Sequence, residues 1–587
     1  MKSKNYFLEF LHLYKKIKYF LDKTFRKKVF KLIFLLFIGM VLEAFSFTMI
    51  IPVLSTIVNP KFKVYIKQNS LLSSWFNNLS DINIISFFLI LLIFIFLLKA
   101  LFLIYLIHYQ NKFVANFSVH ISNKLISKYL NAKFSFHQKN NSAILHRNLN
   151  QEVAFFSAFF QSYLNVFVEF ILLISIIITL IIIEPFGALT IGIFLITFSL
   201  IFLSLTKNTL SLWGAKRQKL DGHISKIILE SMRGIKEIKV MSKQDYFFKK
   251  FAYTNIERAN INANFLTLNL TPRFYLEFIS IISLAGFIIV FLYQGGEFSN
   301  LITTVGVFVA ATFRMLPSVN KILSSIQIIK YKKYSLDLLI NELKNTPTEN
   351  LQIDDKEIIF NKQFEIKNLN FSHNKNKLIL KNACLTISKG ETVGIVGPSG
   401  SGKTTLINLI LGLYPEAKNH IYVDGKPLES IESWRRKIGY VSQSIFLLDD
   451  SIRNNVAFGT NLSSSDSKRF TNVIKTASLD SFIKSLSKGV DTIIGEQGQQ
   501  ISGGQRQRIG LARALFSDSE ILIFDEATSA LDNFTEKEVI KSILKLRGKK
   551  TLIMVAHRLT TLKECDIIYE LNDGKINVYK QKTKLNV

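Results

Sequence analysis

The eight residues Gly397, Pro398, Ser399, Gly400, Ser401, Gly402, Lys403 and Thr404 have the types and spacing of a loop that wraps phosphates. Glycines at these positions let successive backbone N–H groups turn inward on an anion, and a helix starting at the end of the loop adds the positive end of its dipole. Lys403 is long enough to reach the β- and γ-phosphates of a nucleoside triphosphate, and the Thr404 hydroxyl suits a magnesium ion. The flanks support this chemistry. An apolar run at 392–396 predicts a buried strand before the loop, and residues 405–413 predict an apolar helix after it. A chance glycine-rich turn leaves both flanks unexplained.

A second apolar run, 521–524, ends in Asp525 and Glu526. An acid at the C-terminal end of a buried parallel strand sits beside the nucleotide, which gives Asp525 the role of magnesium ligand, directly or through water. Glu526 is then placed to polarise an attacking water as general base. Two acids after a strand are commonplace, and the phosphate loop gives this pair its hydrolytic meaning.

Ile501 followed by Ser502, Gly503, Gly504 and Gln505 resembles the signature of the ATP-binding cassette family, with Ile where Leu is usual. The resemblance extends to Gln443 as the Q-loop glutamine and a magnesium ligand, to Asp532 in the D-loop, and to His557 as the switch histidine. Residues 492–498 resemble the segment that exporters carry just before the signature. This resemblance implies binding of ATP and Mg2+ by the 397–404 loop together with Thr405, and pairing with a second copy of the chain. In similar proteins two cassettes close head to tail, so the signature of one chain faces the phosphate loop of the other. The helix after Gly504 would aim its N-terminus at the γ-phosphate across that interface, and His557 would hold the γ-phosphate and the water. One chain then carries half a site. At the position where the family usually stacks a Tyr on adenine, this chain has His373, following Phe371 and Ser372. An imidazole offers less area and a pH-dependent charge, so weaker discrimination between bases is expected.

These groups occupy only the C-terminal part of the 587-residue chain. Before about residue 325, apolar runs of membrane-spanning length fall at 32–58, 84–108, 159–183, 186–205, 276–293 and 301–320, which predicts six spans. Short polar breaks at 184–185 and 294–297 predict tight hairpins on the far side of the membrane. The long, basic stretches 110–158 and 206–271 predict cytoplasmic extensions of the helices. Residues 1–28 read as an interfacial amphipathic helix, and 60–81, containing Trp75, as either a short surface helix or an ordinary loop. A polar break at 345–350 sets the boundary between an all-α membrane domain, residues 1–345, and an α/β nucleotide-binding domain, residues 346–587.

The net charge of +30 would suggest nucleic-acid binding in a soluble protein. Here Lys15, Lys16, Lys18, Lys23, Arg26, Lys27, Lys28 and Lys31 flank a span, where they stay cytoplasmic and meet anionic lipid, and no nucleic-acid motif accompanies them. Cys384 and Cys565, the two cysteines, have no spacing for a zinc site or a disulfide, which fits a reducing cytoplasm.

Charge inside a span is costly and therefore informative. Lys99, Arg273 and Arg314 are candidate ligands for an anionic cargo. Their alternatives are snorkelling to an interface for Lys99 and Arg273, and pairing with Glu43 or Glu277 for Arg314. Segments 272–277, 313–321 and 42–45 resemble bacterial flippases that move polyprenyl-pyrophosphate-linked oligosaccharides for protein glycosylation. That resemblance implies an ATP-driven transporter of the exporter type in the bacterial inner membrane, its cassette in the cytoplasm. The alternative cargo is another lipid, a glycolipid, a peptide or an amphipathic drug. It also implies short helices in the long loops that dock on a cassette, with candidates at 141–152 and 231–247.

Overall fold

A computed structural model describes residues 6–49, 53, 80–183, 185–293, 298–349, 357–373, 377–460, 466–526, 533–556 and 562–581. The surface segment expected around Trp75 lies outside the described residues. The chain divides into two compact units. One is Met1–Ala132 with Phe136–Thr348, and the other is Lys133–Ser135 with Glu349–Val587.

The first unit is built on the long helices α1 (Lys23–Thr48), α2 (Asp81–Leu130), α3 (Val153–Ile183), α4 (Pro185–Arg233), α5 (Gln244–Tyr293) and α6 (Phe298–Asn345). Among the described residues, four stretches are long and apolar enough to cross a membrane: Lys23–Ser46, Ile82–Leu130, Ser142–Ile178 and Gly192–Arg233. The expected spans at 276–293 and 301–320 fall within α5 and α6. At about 1.5 Å per residue the 50 residues of α2 reach about 75 Å, against about 30 Å of hydrocarbon. The excess forms the predicted polar extensions. Pro185 opens α4 two residues after α3 ends, at a position where the missing N–H has no helical partner to lose.

The N-terminal segment departs from the expectation of one interfacial helix over 1–28. A helix spans Tyr6–Lys18, the chain turns at 19–22, and α1 begins at Lys23. Leu13, Ile17 and Phe20 are buried in a cluster with Phe117 and Phe156, and Lys16 Nζ donates to Asp337 Oδ1 at 2.6 Å. One apolar face is thus spent on the protein, while Leu11, Tyr14 and Tyr19 remain exposed.

Where the helix extensions converge, the core is polar. Glu152 ends the π-helical turn Asn148–Glu152 and is fully buried; its Oε2 accepts from Ser335 Oγ at 2.5 Å and from Gln218 Nε2 at 3.2 Å. Arg147 Nε lies 4.0 Å from Oε1, and Arg217 Nη2 lies 3.9 Å from Oε2. Arg217 also pairs with Asp221 at 3.5 Å and covers the Phe155 ring at 3.6 Å. Burial pushes the Asp221 carboxyl up against the pull of Arg217 and Arg258, and burial beside Arg217 brings Lys332 down to about 8.

In the second unit a six-stranded sheet has the order β10-β9-β3-β8-β7-β6, from β3 (Thr392–Val396), β6 (Ile438–Val441), β7 (Ile521–Asp525), β8 (Thr551–Val555), β9 (Ile567–Asn572) and β10 (Lys575–Gln581). A four-stranded sheet, β2-β1-β4-β5, contains β1 (Gln363–Phe371), β2 (Leu380–Ser388), β4 (Ile421–Val423) and β5 (Lys426–Pro427). β7 and β8 are buried at every residue, as strands of a parallel sheet covered on both faces must be. Because β6, β7, β8 and β3 run parallel, the segments leaving their C-terminal ends share one edge. Those segments carry Gln443, Glu526 and the phosphate loop.

Candidate functional site

The phosphate loop leaves β3 and enters α7 (Lys403–Ile410) through Gly402, whose φ of +107° is open to glycine and strained for other residues. A β-carbon on Gly397 would collide with the Leu571 carbonyl. Lys403 Nζ donates to the loop's own carbonyls, Gly397 O at 2.8 Å and Pro398 O at 3.1 Å, which holds the ammonium inside the ring of backbone. Ser401 Oγ is buried with no hydrogen-bond partner among the described residues. A cradle with an orphaned hydroxyl and an enclosed ammonium fits a polyphosphate.

Asp525 is buried at the end of β7 and accepts from Tyr440 Oη at 3.2 Å. Burial raises its carboxyl above the usual range; the Tyr440 hydrogen bond opposes this, the Glu526 charge adds to it, and Lys403 lowers it again. Glu526 has a left-handed backbone, φ +49°, and accepts from Gln443 Nε2 at 2.7 Å. Lys403, Asp525, Glu526, Gln443 and Tyr440 therefore form one constellation. Tyr440 was not legible in the sequence, because only the pairing of β6 with β7 carries it to Asp525. Thr404, Asp525 and the Gln443 carbonyl are the groups that would hold magnesium, which when bound would neutralise phosphate charge. His557 and Asp532 lie outside the described residues.

A raised carboxyl has a stability consequence whose sign is fixed. The contribution of Asp525 to folding is full below its unfolded pKa and is lost as pH rises through the folded one. Asp525→Asn is expected to raise the melting temperature of the nucleotide-free, magnesium-free protein at pH 7–8, with the gain vanishing below about pH 4. ATP hydrolysis should fall in the same variant. Melting curves across pH, with no gain at pH 8, would refute this account.

Ser502 caps α8 (Gly503–Phe516) in a reciprocal box: its Oγ accepts from Gln505 N at 3.2 Å, and Gln505 Oε1 accepts from Ser502 N at 2.8 Å. Gly504 follows in the first turn. Among the described residues, no hydrogen bond or ion pair joins Ser502–Gln505 to the phosphate loop of the same chain. A cavity of about 390 Å³ is lined by Gln443, Phe446, Gln497 and Gly503, among others.

His373 is exposed, and its Nε2 lies 3.4 Å from Thr405 Oγ1 beside the phosphate loop. Its ring stands edge-on to Phe371 at 5.2 Å and lies 5.3 Å from Tyr414.

Two family profiles match consecutive parts of the chain: "ABC transporter transmembrane region" over residues 32–316 and "ABC transporter" over 380–529. The chain belongs to the ABC transporters. A protein of Saccharophagus degradans named ATP-dependent lipid A-core flippase is 31% identical over 366 residues, 62% of this ABC transporter and 61% of the relative. One of Francisella novicida with the same name is 32% identical over 405 residues, covering 68% and 66%. The heterocyst differentiation ATP-binding protein HepA of Nostoc sp. is 42% identical over 217 residues, 37% and 35%. The chain thus spans less than two thirds of the length of these relatives. A solved structure of a bacterial Atm1-family ABC exporter with ATP bound superposes with a TM-score of 0.75 at 20% identity, covering 94% and 95% of the two chains. This ABC transporter therefore has the exporter fold, a membrane domain followed by a nucleotide-binding domain.

The membrane-domain candidates are placed differently from one another. Lys99 is buried, 3.0 Å from Glu43 Oε2, donating to Ser46 Oγ at 3.1 Å and lying over the Phe96 ring. It does not snorkel. Arg273 is 69% exposed and pairs with Glu277 at 3.0 Å one helical turn away. The Arg314 side chain lies outside the described residues, and both acids suggested for it have other partners here. Lys99→Met strips buried Glu43 of this cation and should cost about 3–5 kcal/mol of stability. Adding Glu43→Gln should restore most of the loss in thermal unfolding if pairing is the whole role of Lys99.

Proposed function

We propose that two copies of this chain hydrolyse ATP and use it to carry a phosphate-bearing glycolipid, a polyprenyl-pyrophosphate-linked oligosaccharide, from the cytoplasmic to the outer leaflet of a bacterial inner membrane. The convergence of Lys403, Asp525, Glu526 and Gln443 carries the ATP part of this reading. Lys403 and the loop amides would hold the triphosphate, and Glu526 would take a proton from the attacking water while Gln443 Nε2 orients its carboxylate. The capped N-terminus of α8 supports a second copy: its dipole is free of the chain's own phosphate loop and suits a γ-phosphate supplied from across a dimer.

Exposed Ile235, Val240 and Met241, on and beside the short helix Ile235–Val240, support docking of the 231–247 segment on a cassette near Gln443. A pocket of about 680 Å³ between α5 and α6 supports the cargo. Its walls are mainly apolar, including Leu276, Ile281, Leu284 and Leu316, with the Arg273–Glu277 pair among them. A pyrophosphate can take Glu277's place on Arg273 while the lipid chain keeps to the apolar wall.

The relatives named lipid A-core flippases favour a second cargo of the same chemical kind, a phosphorylated sugar on a lipid. Reconstitution in proteoliposomes separates the two. ATP-dependent loss of a labelled polyprenyl-pyrophosphate glycan from the cassette-facing leaflet supports the first cargo. Loss of labelled lipid A-core alone replaces it with the second, and absence of ATP turnover in the unaltered protein overturns the whole reading.

A further inference from the structure

Tyr414 is the centre of an aromatic cluster in the second unit. It is 5% exposed, and its ring lies 4.9 Å from Phe371, 5.3 Å from His373 and 6.1 Å from Phe134, the last edge-on at 75°. Phe134 opens the short helix Phe134–Lys139, between α2 and α3 in the chain, and Lys133–Ser135 belong to the cassette unit. It is half-buried against the cassette's hydrophobic core, and neighbouring Lys133 Nζ donates to Glu416 Oε1 at 2.6 Å, two residues beyond Tyr414. Among the described residues, the hydrogen-bond contact of His373 is with Thr405, itself at the phosphate loop.

From this arrangement we propose that Phe134 is a positioning residue for the nucleotide-base site, acting through Tyr414 to hold the His373 ring where a purine stacks. The inference rests on the ATP reading above. An imidazole presents a smaller face than a phenol ring, so the orientation of that face governs how much of the base it covers. Phe371 supports it from one side and Tyr414 from another. Tyr414 is in turn nearly buried, with the Phe134 ring edge-on against it. Without the Phe134 ring, Tyr414 loses one of the rings packed on it, and the His373 ring loses that indirect support.

The test uses the full-length protein in detergent or nanodiscs, measuring kcat and KM with ATP and with GTP. Phe134→Ala should raise KM for ATP about threefold to tenfold, the scale of one lost aromatic contact, with kcat within about twofold. KM for GTP should change differently, altering the ATP-to-GTP preference, and Phe134→Tyr, which keeps the ring, should restore it. Tyr414→Leu should reproduce the Phe134→Ala pattern. An unchanged KM in Phe134→Ala overturns the inference, as does an equal loss of kcat in Phe134→Ala and Phe134→Tyr, which marks a merely structural role. Turnover that depends on Lys403 but is indifferent to Phe134 overturns this inference alone, whereas no turnover in the unaltered chain overturns the ATP reading with it.

Discussion

Glu526→Gln is expected to lower kcat for ATP by about 10²- to 10⁴-fold while leaving ATP affinity nearly unchanged. The amide has the shape of the carboxylate and can still accept from Gln443 Nε2, so the 2.7 Å contact and the left-handed backbone at Glu526 survive. What it loses is the capacity to take a proton from water. Lys403, which acts on the phosphates rather than on the water, should show the opposite pattern, with Lys403→Ala raising KM strongly. Equilibrium binding of ATP to Glu526→Gln, set beside its turnover, distinguishes the two roles. Near-normal turnover in Glu526→Gln would remove Glu526 from the chemistry.

Glu152→Ala should be the most destabilising single change in the membrane unit, by about 3–5 kcal/mol. Glu152 is fully buried, and its carboxylate is the common neighbour of Arg147, Arg217, Gln218 and Ser335. Removing it leaves the buried Arg147 and Arg217 guanidinium groups without their shared carboxylate, while Asp221 is already divided between Arg217 at 3.5 Å and Arg258 at 3.7 Å. Glu152→Gln keeps the hydrogen bonds from Ser335 and Gln218 but not the charge, so its loss should be intermediate. Thermal unfolding in detergent measures the order, and equal melting of the alanine and unaltered proteins would show that the arginines find other partners. The network joins the π-helical turn before α3 to α4 and α6.

Much of the nucleotide site is contiguous in sequence and so was readable there. The loop from Gly397 to Thr404, the acids at the end of 521–525 and the capped signature at Ser502 each consist of neighbours whose spacing alone specifies a turn, a strand end or a helix start. Spans were readable for a similar reason, since a bilayer demands a length of apolar chain whatever packs around it. The N-terminal segment shows the limit of such reading: its periodicity is the same whether the apolar face meets lipid or Phe117 and Phe156, and only the fold chose the latter.

The tertiary structure alone decided which charge faces which. Gln443 meets Glu526 across 83 residues of chain, Tyr440 meets Asp525 across 85, and Ser335 meets Glu152 across 183. Lys99 and Arg273 look alike in sequence as basic residues of apolar spans, yet one is sealed against Glu43 and the other stands exposed beside a pocket. The cause is physical: a buried or half-buried charge is stabilised by whichever opposite charge the packing of distant helices and strands delivers, and local sequence does not encode that delivery.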